Sequence, residues 1–123
     1  MNWENIQEKY LEEFDEFYNL ITEQTELIYP SRFIQSQWRE MEEINDNSLW
    51  GWIENFFDSK GIIIILAYIK NYGDEKGFLY ELFNQKGNMI FSSYYKEQKI
   101  YKSRQEAREA ATIKAFEILE RDK

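Results

Sequence analysis

The first 22 residues carry apolar side chains at steps of three and four positions, which is the spacing of one face of an α-helix. This apolar stripe consists of Trp3, Ile6, Tyr10, Phe14, Phe17 and Ile21. It predicts one amphipathic helix that runs to about Thr22. The opposite face of the helix is acidic and carries Glu4, Glu8, Glu12, Glu13, Asp15 and Glu16.

Two more helices are predicted in the first half of the chain. Pro30 suits the first turn of the second helix, because its missing N–H costs nothing there. Ser48 is predicted to cap a third helix that runs from Leu49 to about Asp58 and ends near Gly61. This third helix is apolar on most of its sides, which predicts a central position.

The pattern then changes to that of a β-sheet. Residues 62–69 form a continuous apolar run rich in isoleucine, which predicts a strand covered on both faces or nearly so. Residues 78–84 and 89–95 are predicted as the second and third strands. Gly87 lies between them and supplies the positive φ that a tight hairpin needs. Three antiparallel strands are therefore expected.

The last predicted helix begins with a capping box, formed by Ser103 and Glu106, and runs to about Arg121. Its apolar side is expected to comprise Ala107, Ala110, Ala111, Ala115, Ile118 and Leu119. Ile113 and Phe116 lie on the other side, where the N-terminal helices are expected to cover them.

These elements predict one α+β domain over residues 1–123 in the order α-α-α-β-β-β-α. The N-terminal helices are expected to pack on a three-stranded antiparallel sheet that is followed by a C-terminal helix. The domain would consist of an acidic helical part (residues 1–47) and an α-β-β-β-α unit (residues 48–123).

Charge divides unevenly between those two parts. Residues 1–47 hold 3 basic and 12 acidic side chains, a net charge of −9, whereas residues 48–123 hold 12 basic and 11 acidic side chains, a net charge of +1. Phosphate backbones are bound mainly through cations. The acidic part is therefore expected to repel nucleic acid and to attract a basic protein surface.

Residue types limit the chemistry that the chain can perform. The sequence has no Cys and no His, which removes thiolate nucleophiles, the usual general base near neutral pH and the commonest transition-metal ligands. It has no phosphate-binding glycine loop, nucleophile elbow or zinc motif. We therefore predict a protein without catalytic residues, a metal site or a cofactor. No apolar run approaches the roughly 20 residues that span a bilayer, which predicts a cytoplasmic protein that does not enter a membrane.

The stretch KSRQEAREAATIKAFEILE, residues 102–120, resembles the closing helix of double-stranded-RNA-binding domains. The order helix, three strands, helix from residue 48 onward is also the order of that family. The resemblance implies RNA contact through Lys102, Arg104 and Arg108, because cations at the start of this helix bridge phosphates across the major groove. Two features depart from the family: Gln105 replaces one of the basic residues, and the loop of residues 71–77 contains neither Pro nor His.

The chain as a whole resembles the small acidic proteins of bacteriophages and mobile elements, among which are the anti-CRISPR proteins. That resemblance implies a protein that acts by contact, with a CRISPR effector complex as one possible partner. The leading hypothesis is a non-catalytic inhibitor that binds a basic surface. The predicted contact residues are Glu8, Glu12, Glu13, Asp15 and Glu16.

A divergent double-stranded-RNA-binding module that uses Lys102, Arg104 and Arg108 is the alternative hypothesis. A third possibility is an accessory subunit with a purely structural role. Tyr94, Tyr95 and Tyr101 are a further candidate contact surface, because tyrosine is enriched among the residues that dominate binding energy.

Overall fold

The computed structural model of the protein describes residues 1–24, 37–44, 46–70 and 76–122. Its elements are α1 (Trp3–Lys9), α2 (Leu11–Gln24), α3 (Gln37–Glu43), α4 (Asp46–Ser59), β1 (Ile63–Lys70), β2 (Lys76–Phe83), β3 (Met89–Ser92), α5 (Ser93–Glu97) and α6 (Arg104–Arg121). The α+β class and the order of helices, antiparallel sheet and closing helix are confirmed. The predicted helix start at Pro30 lies outside the described residues.

The chain divides into two compact units. We call Met1–Phe56 with Phe116–Lys123 the helical unit, and Phe57–Ala115 the sheet unit. The division falls inside α4 and α6, whereas the sequence pattern placed it near residue 47.

The apolar stripe of the N-terminal region is confirmed, since all six of its members are at most 8% exposed. The single predicted helix is instead two helices. Tyr10 ends α1 with φ −129° and ψ 54°, outside the helical region, and α2 begins at the next residue. The break costs few hydrogen bonds, because the Tyr10 N–H still donates to the Ile6 carbonyl at 2.9 Å and the Tyr10 carbonyl accepts from the Phe14 N–H at 2.8 Å.

Aromatic rings form the core of the helical unit. The ring of Phe17 is fully buried and lies 5.5 Å from that of Trp3, 5.4 Å from that of Phe56 and 6.3 Å from that of Phe116, measured between centroids. The ring of Tyr10 also stacks on Phe116 at 6.0 Å. The N-terminal helices therefore cover Phe116, as predicted.

Side chains from α1 and α2 fix α3 in this unit. The Trp38 N–H is in the first turn of α3, where it lacks a partner within the helix, and it donates to Gln7 Oε1 of α1 at 3.1 Å. The hydroxyl of the buried Tyr18 donates to Glu40 Oε2 at 2.6 Å. These two bonds join α3 to both preceding helices.

The third predicted helix is longer than expected at its start. α4 begins at Asp46, so Ser48 lies inside the helix and the prediction that it caps the helix is wrong. Asp46 and Asn47 precede Ser48 in the first turn of this helix. The end is confirmed: Gly61 has φ +84°, its N–H donates to the Asp58 carbonyl at 3.0 Å, and the Ile62 N–H donates to the Phe57 carbonyl at 2.8 Å. This is a Schellman motif.

The sheet has the order β1-β2-β3, so β1 is an edge strand. It pairs antiparallel with β2, with Leu66 opposite Tyr80 and Tyr68 opposite Phe78. Ile65 is 43% exposed and Tyr68 is 58% exposed. The prediction that this apolar run is covered on both faces or nearly so is therefore wrong, because an uninterrupted run of apolar residues does not show which of its side chains other elements cover.

The third strand is shorter than predicted. β3 ends at Ser92, and α5 takes the place of its second half. The Ser92 side chain accepts from the Tyr95 N–H at 3.2 Å and so caps α5. The buried Ser93 hydroxyl accepts from the Tyr80 N–H of β2 at 3.1 Å, which replaces the strand partner that β2 loses there.

The capping box of α6 is confirmed. Ser103 Oγ accepts from the Glu106 N–H at 3.1 Å, and Glu106 Oε2 accepts from the Ser103 N–H at 3.3 Å. On the apolar side, Ala107, Ala111 and Ala115 are fully buried, whereas Ala110 is only half-buried. Ile113 is 38% exposed, so the expectation that it would be covered like Phe116 is wrong.

Candidate functional site

Five exposed carboxylates lie on the first two helices, and we call the first four of them the acidic surface: Glu4, Glu8, Glu12 and Glu16, which Glu23 follows near the end of α2. Glu4 and Glu8 are four residues apart on α1, as Glu12 and Glu16 are on α2. Residues at this spacing are neighbours on the surface of a helix. Three of the five predicted contact residues, Glu8, Glu12 and Glu16, are thus exposed as the hypothesis requires.

The other two predicted contact residues differ from that expectation. Glu13 is buried, with 5% of its surface exposed, which corrects the prediction that its carboxylate faces solvent. Asp15 is half-buried, and its carboxylate accepts from Gln37 Nε2 at 3.3 Å and from Asn19 Nδ2 at 3.5 Å. Each step of one residue along a helix rotates the side chain by about 100° around the helix axis. The acidic residues between Glu12 and Glu16 therefore cannot all lie on the side of α2 that faces solvent.

The two units differ more sharply in charge than the two halves of the sequence. The helical unit holds 16 acidic and 5 basic side chains, a net charge of −11, whereas the sheet unit holds 7 acidic and 10 basic side chains, a net charge of +3. The difference increases because the helical unit also contains Glu54 and residues 116–123, which carry three acidic and two basic side chains.

The pKa of Tyr10 reflects both its burial and the negative potential in the helical unit. Burial of the Tyr10 hydroxyl raises its pKa above the ordinary value of 10.0, and the carboxylates of Glu117, Glu120 and Glu13 raise it further. Carboxylates from α2 and from the end of α6 therefore act on one place. The sequence alone does not show this, since more than 100 residues separate Tyr10 from Glu117.

A pH dependence follows from the raised pKa of Tyr10. The folded state favours the neutral phenol, so this stabilisation is present below about pH 10 and is lost as pH rises through the raised pKa. Above pH 10 the unfolding free energy of the wild type should therefore fall relative to that of Tyr10→Phe. Urea denaturation at several pH values measures this difference. A difference that stays constant up to pH 12 would contradict the environment described for Tyr10. Replacing Glu117 and Glu120 by Gln should lower the pKa of Tyr10.

The residues implied by the RNA-binding resemblance do not form a uniform surface. Lys102 and Arg104 are exposed, but Arg108 is half-buried. The Arg104 guanidinium lies 5.6 Å from the centroid of the Phe78 ring, a cation–π contact. Arg104 is therefore partly engaged with the sheet, and Lys102 is the cation of this group that lies in a cleft.

That cleft, which we call the tyrosine cleft, has a volume of about 650 Å³. Its lining residues are Lys76, Tyr94, Tyr95, Gln98, Ile100, Tyr101 and Lys102. The three tyrosines that the sequence indicated as a contact surface come together here. Lys76 joins them because the segment after α5 pairs with β2: the Phe78 N–H donates to the Tyr101 carbonyl at 2.8 Å, and the Tyr101 N–H donates back at 2.7 Å.

Sequence reasoning missed Lys76 as a site residue. The glycine at the next position, Gly77, was a sequence signal for this site. A Cβ there would lie 2.5 Å from the Tyr101 carbonyl oxygen and closer still to Ile100 Cγ2. A glycine inside a strand often marks such a close approach of another backbone. The sequence does not say which segment approaches.

The part of the chain that the structure describes lacks the features of two other kinds of site. There, no group of three or more Asp, Glu, His or Cys side chains is arranged to hold a metal ion. None of its helices is both long enough and apolar enough to cross a membrane. Comparison with protein-family models, with curated proteins and with solved structures finds no match to this chain.

Proposed function

We propose that this protein acts without catalysis, by binding a basic surface of another protein through the acidic surface of its helical unit. The observation that carries the proposal is the partition of charge between the units, −11 against +3. A field of one sign accelerates encounter with an oppositely charged partner, by 10-fold to 10³-fold at low salt.

The placement of the exposed carboxylates supports this function. Like charges four residues apart destabilise a helix by about 0.2–0.5 kcal/mol per pair. The acidic surface contains two such pairs, Glu4 with Glu8 and Glu12 with Glu16, on helices of only 7 and 14 residues. Glu4 and Glu12 are also favoured by the helix dipole in the first turns of their helices, and a cationic partner would relieve the repulsion within each pair.

Proteins that handle nucleic acid present the most extensive basic surfaces, since they must neutralise phosphate. A complex of this kind is the class of partner that we propose. The resemblance of the chain to anti-CRISPR proteins makes a CRISPR effector complex the first candidate, with inhibition by occupation of its basic channel as the mode of action.

Two variants of equal net charge test the location of the contact. The first reverses the acidic surface, with Glu8→Lys, Glu12→Lys and Glu16→Lys. The control reverses three other exposed carboxylates, with Glu54→Lys, Asp58→Lys and Asp122→Lys. Binding of a 20-residue Lys/Ser peptide is measured by calorimetry at 50 and 150 mM salt.

We expect the acidic-surface variant to bind the peptide at least 10-fold more weakly than the control variant does, with a smaller dependence on salt. Equal weakening in both variants would mean that only net charge matters, and the proposed contact surface would be wrong. Far-UV circular dichroism establishes that both variants fold.

Binding of double-stranded RNA is the second candidate function, and the exposure of Lys102 and Arg104 at the start of α6 favours it. A gel shift with duplex RNA at 150 mM salt tests it. RNA binding would be supported if the wild type retains the duplex and the double variant Arg104→Ala, Arg108→Ala does not. Absence of retention would contradict this second candidate function.

A further inference from the structure

The first turn of α5 places two tyrosines side by side. The Ser92 cap holds the Tyr95 N–H, and the rings of Tyr94 and Tyr95 lie edge to face, with centroids 5.3 Å apart at an angle of 74°. Tyr95 is 72% exposed, the highest value among the exposed large apolar residues of the described chain. Covering such an exposed ring with a flat apolar ligand buries aromatic surface and so contributes favourable binding free energy.

The end of α5 turns the chain back towards these rings. Gln98 ends the helix in the left-handed conformation, at φ 52° and ψ 39°, and the Lys99 N–H donates to the Ser93 carbonyl at 2.8 Å. The chain then pairs with β2 at Tyr101. Tyr101 and Lys102 therefore line the tyrosine cleft together with Tyr94 and Tyr95 of α5.

Two cations, Lys76 and Lys102, line the tyrosine cleft. Residues 93–104 hold four basic side chains and one acidic side chain, a net charge of +3. Lys76, Lys96, Lys99 and Lys102 are all exposed. The one acidic residue in this segment is Glu97, and Lys114 Nζ lies 3.9 Å from its Oε1. Glu106 also lies nearby, since its Oε2 accepts from the Lys102 N–H at 3.1 Å. With Lys76 and Lys102 in the lining, and no acidic side chain among the lining residues, the local charge favours an anionic ligand, although the whole chain is acidic.

Exposed aromatic rings beside a row of cations are the two components of sites that bind single strands of nucleic acid. We propose that the tyrosine cleft binds a short stretch of single-stranded nucleic acid. One base stacks on Tyr95, and Lys76 and Lys102 contact the flanking phosphates. The cleft volume of about 650 Å³ lies within the range of small-ligand sites. The inference goes beyond the proposed function and does not depend on it.

Two other ligands would satisfy only part of this arrangement. A nucleic-acid duplex stacks its bases inside the helix and cannot offer an open base face to Tyr95. An acidic peptide offers charge to the lysines but no flat ring for the tyrosine. The combination of an open ring and paired cations therefore favours the single strand, and the other two ligands serve as contrasts in the test.

The test measures fluorescence anisotropy of fluorescein-labelled dT12 and rU12 with the full chain at 50 and 150 mM salt. Contrast ligands are a 12-base-pair duplex and a labelled peptide of 12 glutamates. The variants are Tyr95→Ala, Lys76→Gln with Lys102→Gln, and the control Lys86→Gln. Lys86 is an exposed lysine in the β2–β3 turn and does not line the cleft.

We expect Tyr95→Ala to weaken binding of the single strand by about 5- to 150-fold, the loss of one stacked base. The double lysine variant should reduce the slope of log K against log salt by about 1.4, since each single-strand phosphate contact contributes about 0.7. Lys86→Gln should bind like the wild type. Wild-type affinity in Tyr95→Ala, equal binding of the duplex or the glutamate peptide, or no binding of either oligonucleotide at 50 mM salt would each overturn the proposal.

Discussion

Phe17→Ala is expected to lower the free energy of unfolding of this protein by about 3–5 kcal/mol. The Phe17 ring is fully buried and contacts three other aromatic rings, those of Trp3, Phe56 and Phe116. Its removal leaves a cavity at the point where α2, α4 and α6 meet in the helical unit. Domains are stable by about 5–15 kcal/mol, so this one change removes a large part of the total.

Tryptophan fluorescence during urea denaturation is the appropriate measurement, because all four tryptophans belong to the helical unit. Tyr95→Ala is the control. It also removes an aromatic ring, but one that is 72% exposed, and it should change stability by no more than about 0.5 kcal/mol. A loss below 1 kcal/mol in Phe17→Ala would contradict the described packing.

Gly77→Ala should destabilise the protein by about 1–3 kcal/mol, the cost of overpacking a close contact. The added Cβ meets the Tyr101 carbonyl and the Ile100 side chain, so the segment after α5 must move away from β2. That movement strains the two hydrogen bonds between Phe78 and Tyr101 and opens the tyrosine cleft. Urea denaturation followed by circular dichroism gives the loss, and hydrogen exchange of the Phe78 and Tyr101 amides locates it.

Gly51→Ala is the matched control for that substitution, and its expected effect has the opposite sign. Gly51 lies inside α4, and a Cβ there meets no atom within 4 Å. Alanine is favoured over glycine in a helix interior, by about 0.5–1 kcal/mol. Destabilisation of equal size in both variants would show that the close approach at Gly77 is not responsible.

The periodic features of the sequence predicted much of the fold. The stripe from Trp3 to Ile21 is buried as its spacing required, and the capping box at Ser103 and the glycine end at Gly61 lie where the local residue types placed them. These features depend on neighbours within about one helical turn. The order of elements followed from them.

Features that depend on contacts between distant segments were not predictable in this way. The exposure of Ile65 and the burial of Glu13 depend on which other segments cover β1 and α2. The tyrosine cleft requires the pairing of Tyr101 with Phe78, 23 positions apart. Three of its tyrosines were recognisable as a contact surface, but Lys76 was not.

Capture of partners from a lysate of the native host tests the central claim most directly. The baits are the wild type, the acidic-surface variant and the charge-matched control variant, each at 150 mM salt. We expect a partner with a basic surface to be retained by the wild type and the control and to be lost from Glu8→Lys, Glu12→Lys, Glu16→Lys. The same proteins on all three baits would contradict the claim that the acidic surface forms the contact.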